Sequence, residues 1–236
     1  MNFPYQIVDL THSIDENTPS WGGACGFHSE IELDYSDCSA GTQFRVQQFK
    51  IDAGIGTHID APAHCIAGST TIDQLALSEL IVPCVVINIC ELAHERYSLL
   101  PGDIEKFEYT YGAIAQGSFV MIHTGWERFW NNPQKYRNNY LFPSVSSDAA
   151  KILIAKNVCG IGIDTLSPDR PADGYHVHQS FLGNGKYIIE NVANLGKLPA
   201  QGSMILAIPI KIKGATEAPI RLIGLINTYT DLSRMS

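Results

Sequence analysis

The sequence predicts one α/β domain, residues 1–236, in which strands outnumber helices. Three observations predict it. Short apolar runs rich in Val and Ile recur at strand length, with residues 81–89 the most continuous. Few stretches carry a helical pattern, the clearest near residues 103–107 and 146–156. No Gly/Ser linker, internal repeat or low-complexity tract divides the 236 residues, a length that suits one large domain. With so few helices, a regular doubly wound arrangement is excluded.

The elements follow in order. Residues 5–10 read as a first strand running into Thr11 and His12. Residues 13–43 are rich in Gly, Ser, Asp and Pro and are expected to be irregular. A loop that long in a compact domain is usually functional. It carries Trp21, Gly22, Gly23, Cys25 and Phe27. Residues 44–53 read as a strand whose apolar phase slips: Phe44 and Val46 mark one face, then Phe49, Ile51 and Ala53 the other. A slip of one residue predicts a bulge, and bulges often sit beside active sites. Residues 81–89 and 118–123 are further strands, the second ending in a Thr124-Gly125-Trp126 turn. Ser146 or Ser147 can cap a helix through about residue 156, with Ala149, Ala150, Leu153 and Ile154 on its apolar side. Strands are then expected at 159–164, 186–190, 204–212 and 220–228.

Hydrophobic residues make up 45% of the chain and charged residues 17%, which supports a substantial core and argues against disorder. The net charge of -8 argues against nucleic acid or an anionic membrane surface as partner, since both need a basic face. The opening MNFPYQIVDLTHSID has no positive stretch followed by a long apolar run and does not read as a signal peptide. Residues 81–89 are too short to span a bilayer. The expected location is the cytoplasm, with the six cysteines reduced. No C-x-x-C pair points to a structural zinc site. Cys38, Cys84, Cys90 and Cys159 are expected as small buried hydrophobes; Cys25 and Cys65 lie near candidate site segments.

The chemistry concentrates in residues 53–65, AGIGTHIDAPAHC, which place His58, Asp60 and His64 within seven residues. If residues 57–60 are extended, His58 and Asp60 share a face, because strand side chains repeat with period two. An imidazole nitrogen and a carboxylate oxygen so placed can bind one small cation. Gly54 and Gly56 leave room for a metal, a substrate or another backbone. Pro62 cannot donate to a sheet ladder and should end the strand, after which His64 returns to the rim. A second cluster, HVHQSFLGNGKYIIEN, spans residues 176–191. Glu190 there follows Tyr187, Ile188 and Ile189, where an unpaired carboxylate is costly to bury; a metal or a histidine partner would remove that cost.

The GTHIDAPAH stretch resembles the signature of the cyclase family of metal-dependent hydrolases, which includes bacterial kynurenine formamidases. Gly56, Thr57, His58, Asp60, Ala61, Pro62 and His64 match. Gly54 stands where the family has its first metal-binding histidine. The resemblance extends through DLTH, TGW, GIDTLSPD and the closing PIKI and APIR segments. It implies a swivelling β/β/α domain with a mixed sheet. It implies His58, Asp60, His178 and Glu190 as metal ligands, and His64 as general acid and base. It also implies an aromatic from the 13–43 loop over the substrate, for which Trp21 is the candidate. His176 is the alternative to His178. His12 is expected behind the ligands, and Asp164 to fix local backbone without binding metal.

The expected activity is hydrolysis of an amide, cyclic amide or lactone, with arylformamidase action on N-formylkynurenine as the leading case. A bound divalent ion lowers the pKa of water from ~16 to ~7 and polarises the carbonyl. With Gly54 unable to ligate, one ion per chain is expected, zinc or manganese, with Cys25 or Cys65 as candidate soft ligands for a second position. The alternative is a non-catalytic small-molecule binder with a degraded metal site; retention of five site residues argues against it. The resemblance further implies a homodimer or homotetramer, and aromatic surface on the 13–43 loop is the expected contact.

Overall fold

The computed structural model describes residues 4–39 and 41–228. Twelve strands are present among them: β1 (Tyr5–Asp9), β2 (Phe27–Leu33), β3 (Val46–Ile51), β4 (His58–Asp60), β5 (Ile81–Asn88), β6 (Ser98–Leu99), β7 (Phe119–His123), β8 (Ser144–Val145), β9 (Gly160–Ile163), β10 (Tyr187–Glu190), β11 (Ser203–Pro209) and β12 (Glu217–Asn227). Five α-helices accompany them: α1 (Leu77–Leu80), α2 (Pro101–Tyr111), α3 (Pro133–Arg137), α4 (Ser147–Ala155) and α5 (His176–Gly183).

Eight strands form one mixed sheet in the order β1-β12-β11-β5-β7-β9-β10-β4. β5, β7, β9 and β10 run parallel, while β11, β12, β1 and β4 are joined antiparallel. The short β4 pairs with β10 on one side and with the start of β12 on the other, so the sheet closes on itself.

The continuous apolar runs have a simple cause: both faces of the central strands are buried. Alternate residues of β5 and β7 go to different cores. Cys84, Val86, Phe119 and Met121 join Leu10, Ile59, Ile189 and Ile205 in a core enclosed by the sheet. Val85, Ile87, Val120 and Ile122 face outward against α2, α4 and α5, meeting Ile104, Phe107, Leu153, Val177 and Phe181. Each such fully buried side chain contributes roughly 1.5–3 kcal/mol. Gly160 and Gly162 on β9 make room for the Phe119 ring, the Met121 thioether and the Tyr187 backbone carbonyl, which a Cβ would strike. A third cluster, Trp126, Tyr136, Phe142 and Leu166, anchors the loop carrying Trp21.

The structure departs from the sequence expectations in four places. Residues 13–43 are not wholly irregular: β2 lies among them and pairs with β3 as a separate two-stranded ribbon. The ribbon's irregularity falls between Ile31 and Leu33 on β2, not within residues 44–53, and both strands are largely exposed. The helix expected at 103–107 runs Pro101–Tyr111, because Pro101 starts it and the Asp103 carboxylate accepts from Leu100 N at 2.8 Å. Of the four cysteines expected in the core, Cys84 is buried, whereas Cys38, Cys90 and Cys159 are partly exposed. The helix over α4 begins with the Ser146 cap, whose hydroxyl accepts from Ala149 N at 3.2 Å.

Candidate metal centre

Three neighbouring strands carry the site, and their register puts its side chains on one face. β4 is extended through His58 and Asp60, so both point the same way. Glu190 of β10 pairs directly with His58, and Glu217 of β12 pairs directly with Asp60. Residues opposite each other on an antiparallel pair share a face. Ile59, Ile189 and Ala218 accordingly turn to the enclosed core. Helix α5 packs beside β10 and brings His178 over the same face.

His58, Asp60, His178 and Glu190 are buried together. His58 Nε2 lies 3.5 Å from Asp60 Oδ1 and 3.4 Å from Glu190 Oε2. His178 Nε2 lies 3.6 Å from Asp60 Oδ2 and 3.3 Å from Glu190 Oε1. Asp60 Oδ1 and Glu190 Oε1 are buried without a hydrogen bond. These separations are those between neighbouring ligand atoms around a small cation with bonds of about 2.1 Å, roughly 3.4 Å for a tetrahedron. Orphaned carboxylate oxygens facing imidazole nitrogens in a buried site fit a divalent ion.

Each imidazole is aimed from behind. His58 Nδ1 lies 2.8 Å from Gly56 O, which can only accept, so Nδ1 carries the proton and Nε2 faces the cluster. His178 Nδ1 lies 2.8 Å from Asp169 Oδ2. The same carboxylate accepts from Val177 N and His178 N, fixing the start of α5 and the ring on it together. Asn191, with φ 55, donates to Gly56 O at 2.9 Å and accepts from Thr57 Oγ1 through its carbonyl at 2.6 Å. It thereby locks the turn before β4 to the end of β10.

The two histidines balance the carboxylates electrostatically. Burial alone would lower the pKa of His58, but the Asp60 and Glu190 charges outweigh it and raise it to about 9. Burial is likewise overcome at His178, by Asp169, Asp60 and Glu190. Glu190 is held below its ordinary value: burial opposes this, and the two imidazoles prevail.

The site floors a cavity of about 340 Å³. Trp21, Tyr175 and Leu166 form its wall, and His64 and Cys65 line its rim. The Trp21 ring packs on Tyr140 at 4.7 Å, and Tyr140 OH donates to Trp21 O at 2.9 Å. His64 Nδ1 lies 3.4 Å from Glu217 Oε2. That contact raises the His64 pKa, burial opposing and the Asp60 charge reinforcing it.

The structure thus gathers His58, Asp60, His64, His178, Glu190 and Trp21 around one cavity. Cys65 lines it but belongs to neither donor group, and Cys25 lies outside it with its thiol directed to Phe27 O at 2.8 Å. His176 is on α5 but is not among the cluster. Asp164 Oδ1 accepts from Thr124 N and Oγ1 at 2.8 and 2.7 Å, tying β9 to the turn after β7. Two residues escaped the sequence reading. Asp169 lies before α5, which carries no local helix signal, and Glu217 lies at the start of β12, three residues ahead of the strand the sequence predicts at 220. Among the described residues, possible ligand atoms fall in two groups sharing Asp60: Asp60, His178 and Glu190, and His58, Asp60 and Glu217.

His12 sits behind β4, its backbone N–H donating to Thr57 Oγ1 at 3.0 Å and its ring stacked on Trp130 at 3.8 Å. Its Nε2 is buried without a partner, and burial lowers its pKa to about 4, with Asp9 weakly opposing. Protonation therefore favours the unfolded chain. Stability linked to His12 is complete above pH ~6.5 and is lost as pH falls toward 4, by ~1–3 kcal/mol. Denaturant titrations at pH 7 and pH 4.5 should show a smaller acid loss for His12→Phe than for the parent chain. Equal losses would show that His12 titrates normally.

The geometry defines an α/β fold in which buried carboxylates and imidazoles that could hold a cation lie under a cavity lined by Trp21 and Tyr175. The chain belongs to the cyclase family: residues 8–170 match the family described as putative cyclase. It is similar to isatin hydrolase A from Labrenzia aggregata, solved with benzyl benzoate, at 28% identity and a TM-score of 0.86, covering 95% of this chain and 94% of that one. It is 24% identical over 229 residues to a kynurenine formamidase of Polaromonas naphthalenivorans (strain CJ2), covering 92% of this chain and 90% of the relative. A solved structure described as a potential metal-dependent hydrolase with cyclase activity is 25% identical, with a TM-score of 0.74, covering 94% of this chain and 98% of that one. No helix among the described residues is long and apolar enough to cross a membrane.

Proposed function

We propose that this protein is a metal-dependent hydrolase that opens the C–N bond of a small aromatic amide, either a formamide of the N-formylkynurenine type or a cyclic amide of the isatin type. The observation that carries the reading is the convergence of His58, Asp60, His178 and Glu190, with unbonded carboxylate oxygens, beneath a cavity walled by Trp21 and Tyr175. These four residues would ligate divalent metal, zinc or manganese. When bound, the ion supplies Lewis-acid polarisation and acidified water. The chain's own residues do the rest. Trp21 and Tyr175 seat the aromatic ring and exclude water from that side. His64, with Nδ1 turned to Glu217, takes a proton from the attacking water and returns it to the leaving nitrogen. Similarity to both isatin hydrolase and kynurenine formamidase supports amide hydrolysis over lactone hydrolysis.

The test is hydrolysis of isatin and of N-formylkynurenine by purified protein, before and after chelation, with zinc or manganese restored. Turnover of one of them that disappears with the metal and returns with it is the expected result. A metal-loaded protein inert toward both would overturn the reading and favour a binder.

The reading includes a homodimer or homotetramer. The exposed apolar side chains Ile31, Phe44, Val46, Phe49 and Ile51 cluster on and beside the β2–β3 ribbon, away from the core, and a second copy would cover them. Light scattering at micromolar concentration should give a multiple of 25.9 kDa; a mass equal to that of one chain would contradict it.

A further inference from the structure

The room at Gly54 is already taken. A Cβ built on Gly54 would lie 2.5 Å from Glu217 Oε1 and 3.5 Å from His58 Nε2. The Glu217 carboxylate therefore occupies, from the neighbouring strand, the space that a side chain at position 54 would enter. Register places it there: Glu217 pairs with Asp60 across the β4–β12 ladder, on the ligand face. Its possible ligand atom lies within 4.8 Å of those of both His58 and Asp60. Asp60 is 1% exposed, and its Oδ1, the oxygen nearer His58, has no hydrogen bond. A buried, unbonded carboxylate oxygen is thus aimed into the group that Glu217 completes.

We propose that Glu217 is a metal ligand, supplying from β12 the donor that Gly54 cannot, so that His58, Asp60 and Glu217 hold a second ion beside the one held by Asp60, His178 and Glu190. The assignment rests on the metal-centre reading above but not on the substrate. Three protein ligands, one imidazole and two carboxylates, suffice for a zinc or manganese position that keeps a site open. Asp60 offers one oxygen toward each imidazole and so can serve both groups. Glu217 Oε2, turned to His64, would couple the ion position to the proton carrier.

The test is metal content, with activity measured separately. Freshly purified protein and its Glu217→Ala variant are dialysed, and zinc and manganese are counted by mass spectrometry; manganese titrations followed by electron paramagnetic resonance report whether two ions couple. About two equivalents in the parent chain, falling to about one in Glu217→Ala with loss of the coupled signal, is the expected result. The exchange Gly54→His with Glu217→Gly in one chain should return the count to about two, and it serves if Glu217→Ala fails to fold. About one equivalent in the parent chain, or two in both the parent and Glu217→Ala, would overturn the assignment. A fall in activity without a fall in metal content would show that Glu217 only positions His64, which also overturns it. A chain that binds two ions through Glu217 but hydrolyses neither isatin nor N-formylkynurenine would leave this assignment standing and remove the substrate reading alone.

Discussion

Replacing His64 by alanine should lower turnover by ~10²–10⁴-fold while leaving metal content nearly intact. His64 lines the cavity rim with its side chain 32% exposed, and it belongs to neither donor group. Its contact with Glu217 raises its pKa above the ordinary 6.5, with burial opposing and Asp60 adding to the effect. The base form then predominates only at higher pH. The parent enzyme's kcat/KM should rise with pH through that raised pKa, and His64→Ala should lose this acid limb as well as rate. Metal content that fell in step with activity would make His64 a ligand and refute the assignment.

The largest effect on metal binding is expected at Asp60. Both donor groups contain it, and its two oxygens face the two imidazoles at 3.5 and 3.6 Å. Asp60→Ala should abolish retention of metal through dialysis and reduce activity to background. It should also cost the apo protein ~3–5 kcal/mol, because His58 and His178 keep their burial and lose a shared counter-charge. A ligand at 100 times its Kd stabilises a protein by about 2.7 kcal/mol, and thermal melts with added manganese should show that gain in the parent chain and none in the variant. An Asp60→Ala protein that still melts higher with manganese would place the cation elsewhere.

The site was unevenly legible in the sequence. His58, Asp60 and His64 fall within seven residues, so local rules of strand period and proline punctuation could group them. Glu190 was legible as a carboxylate closing an apolar strand, which needs a partner if buried. Trp21 stood out as an aromatic in a long loop, though only the cavity shows what it faces. Asp169 gave no such sign: it reaches His178 because the loop before α5 folds back onto that helix, and an eight-residue helix beginning at two histidines carries no capping pattern to betray it. The β2–β3 ribbon was similarly obscure, since its apolar residues face outward and the rules that predict buried strands do not apply.

What the sequence determined by itself was the α/β class, the order of the main strands, and the family to which residues 8–170 belong. Those depend on short-range patterns: apolar periodicity, turn residues and a motif whose members are neighbours in the chain. What only the tertiary structure decided was which distant groups share one face. Sheet closure sets β4 between β10 and β12, joining Glu190 and Glu217 to opposite edges of a three-residue strand. Pairing register is a property of two strands and not of either alone, so a carboxylate at position 217, 153 residues beyond His64, could fill the space left by Gly54 without any local sign of it.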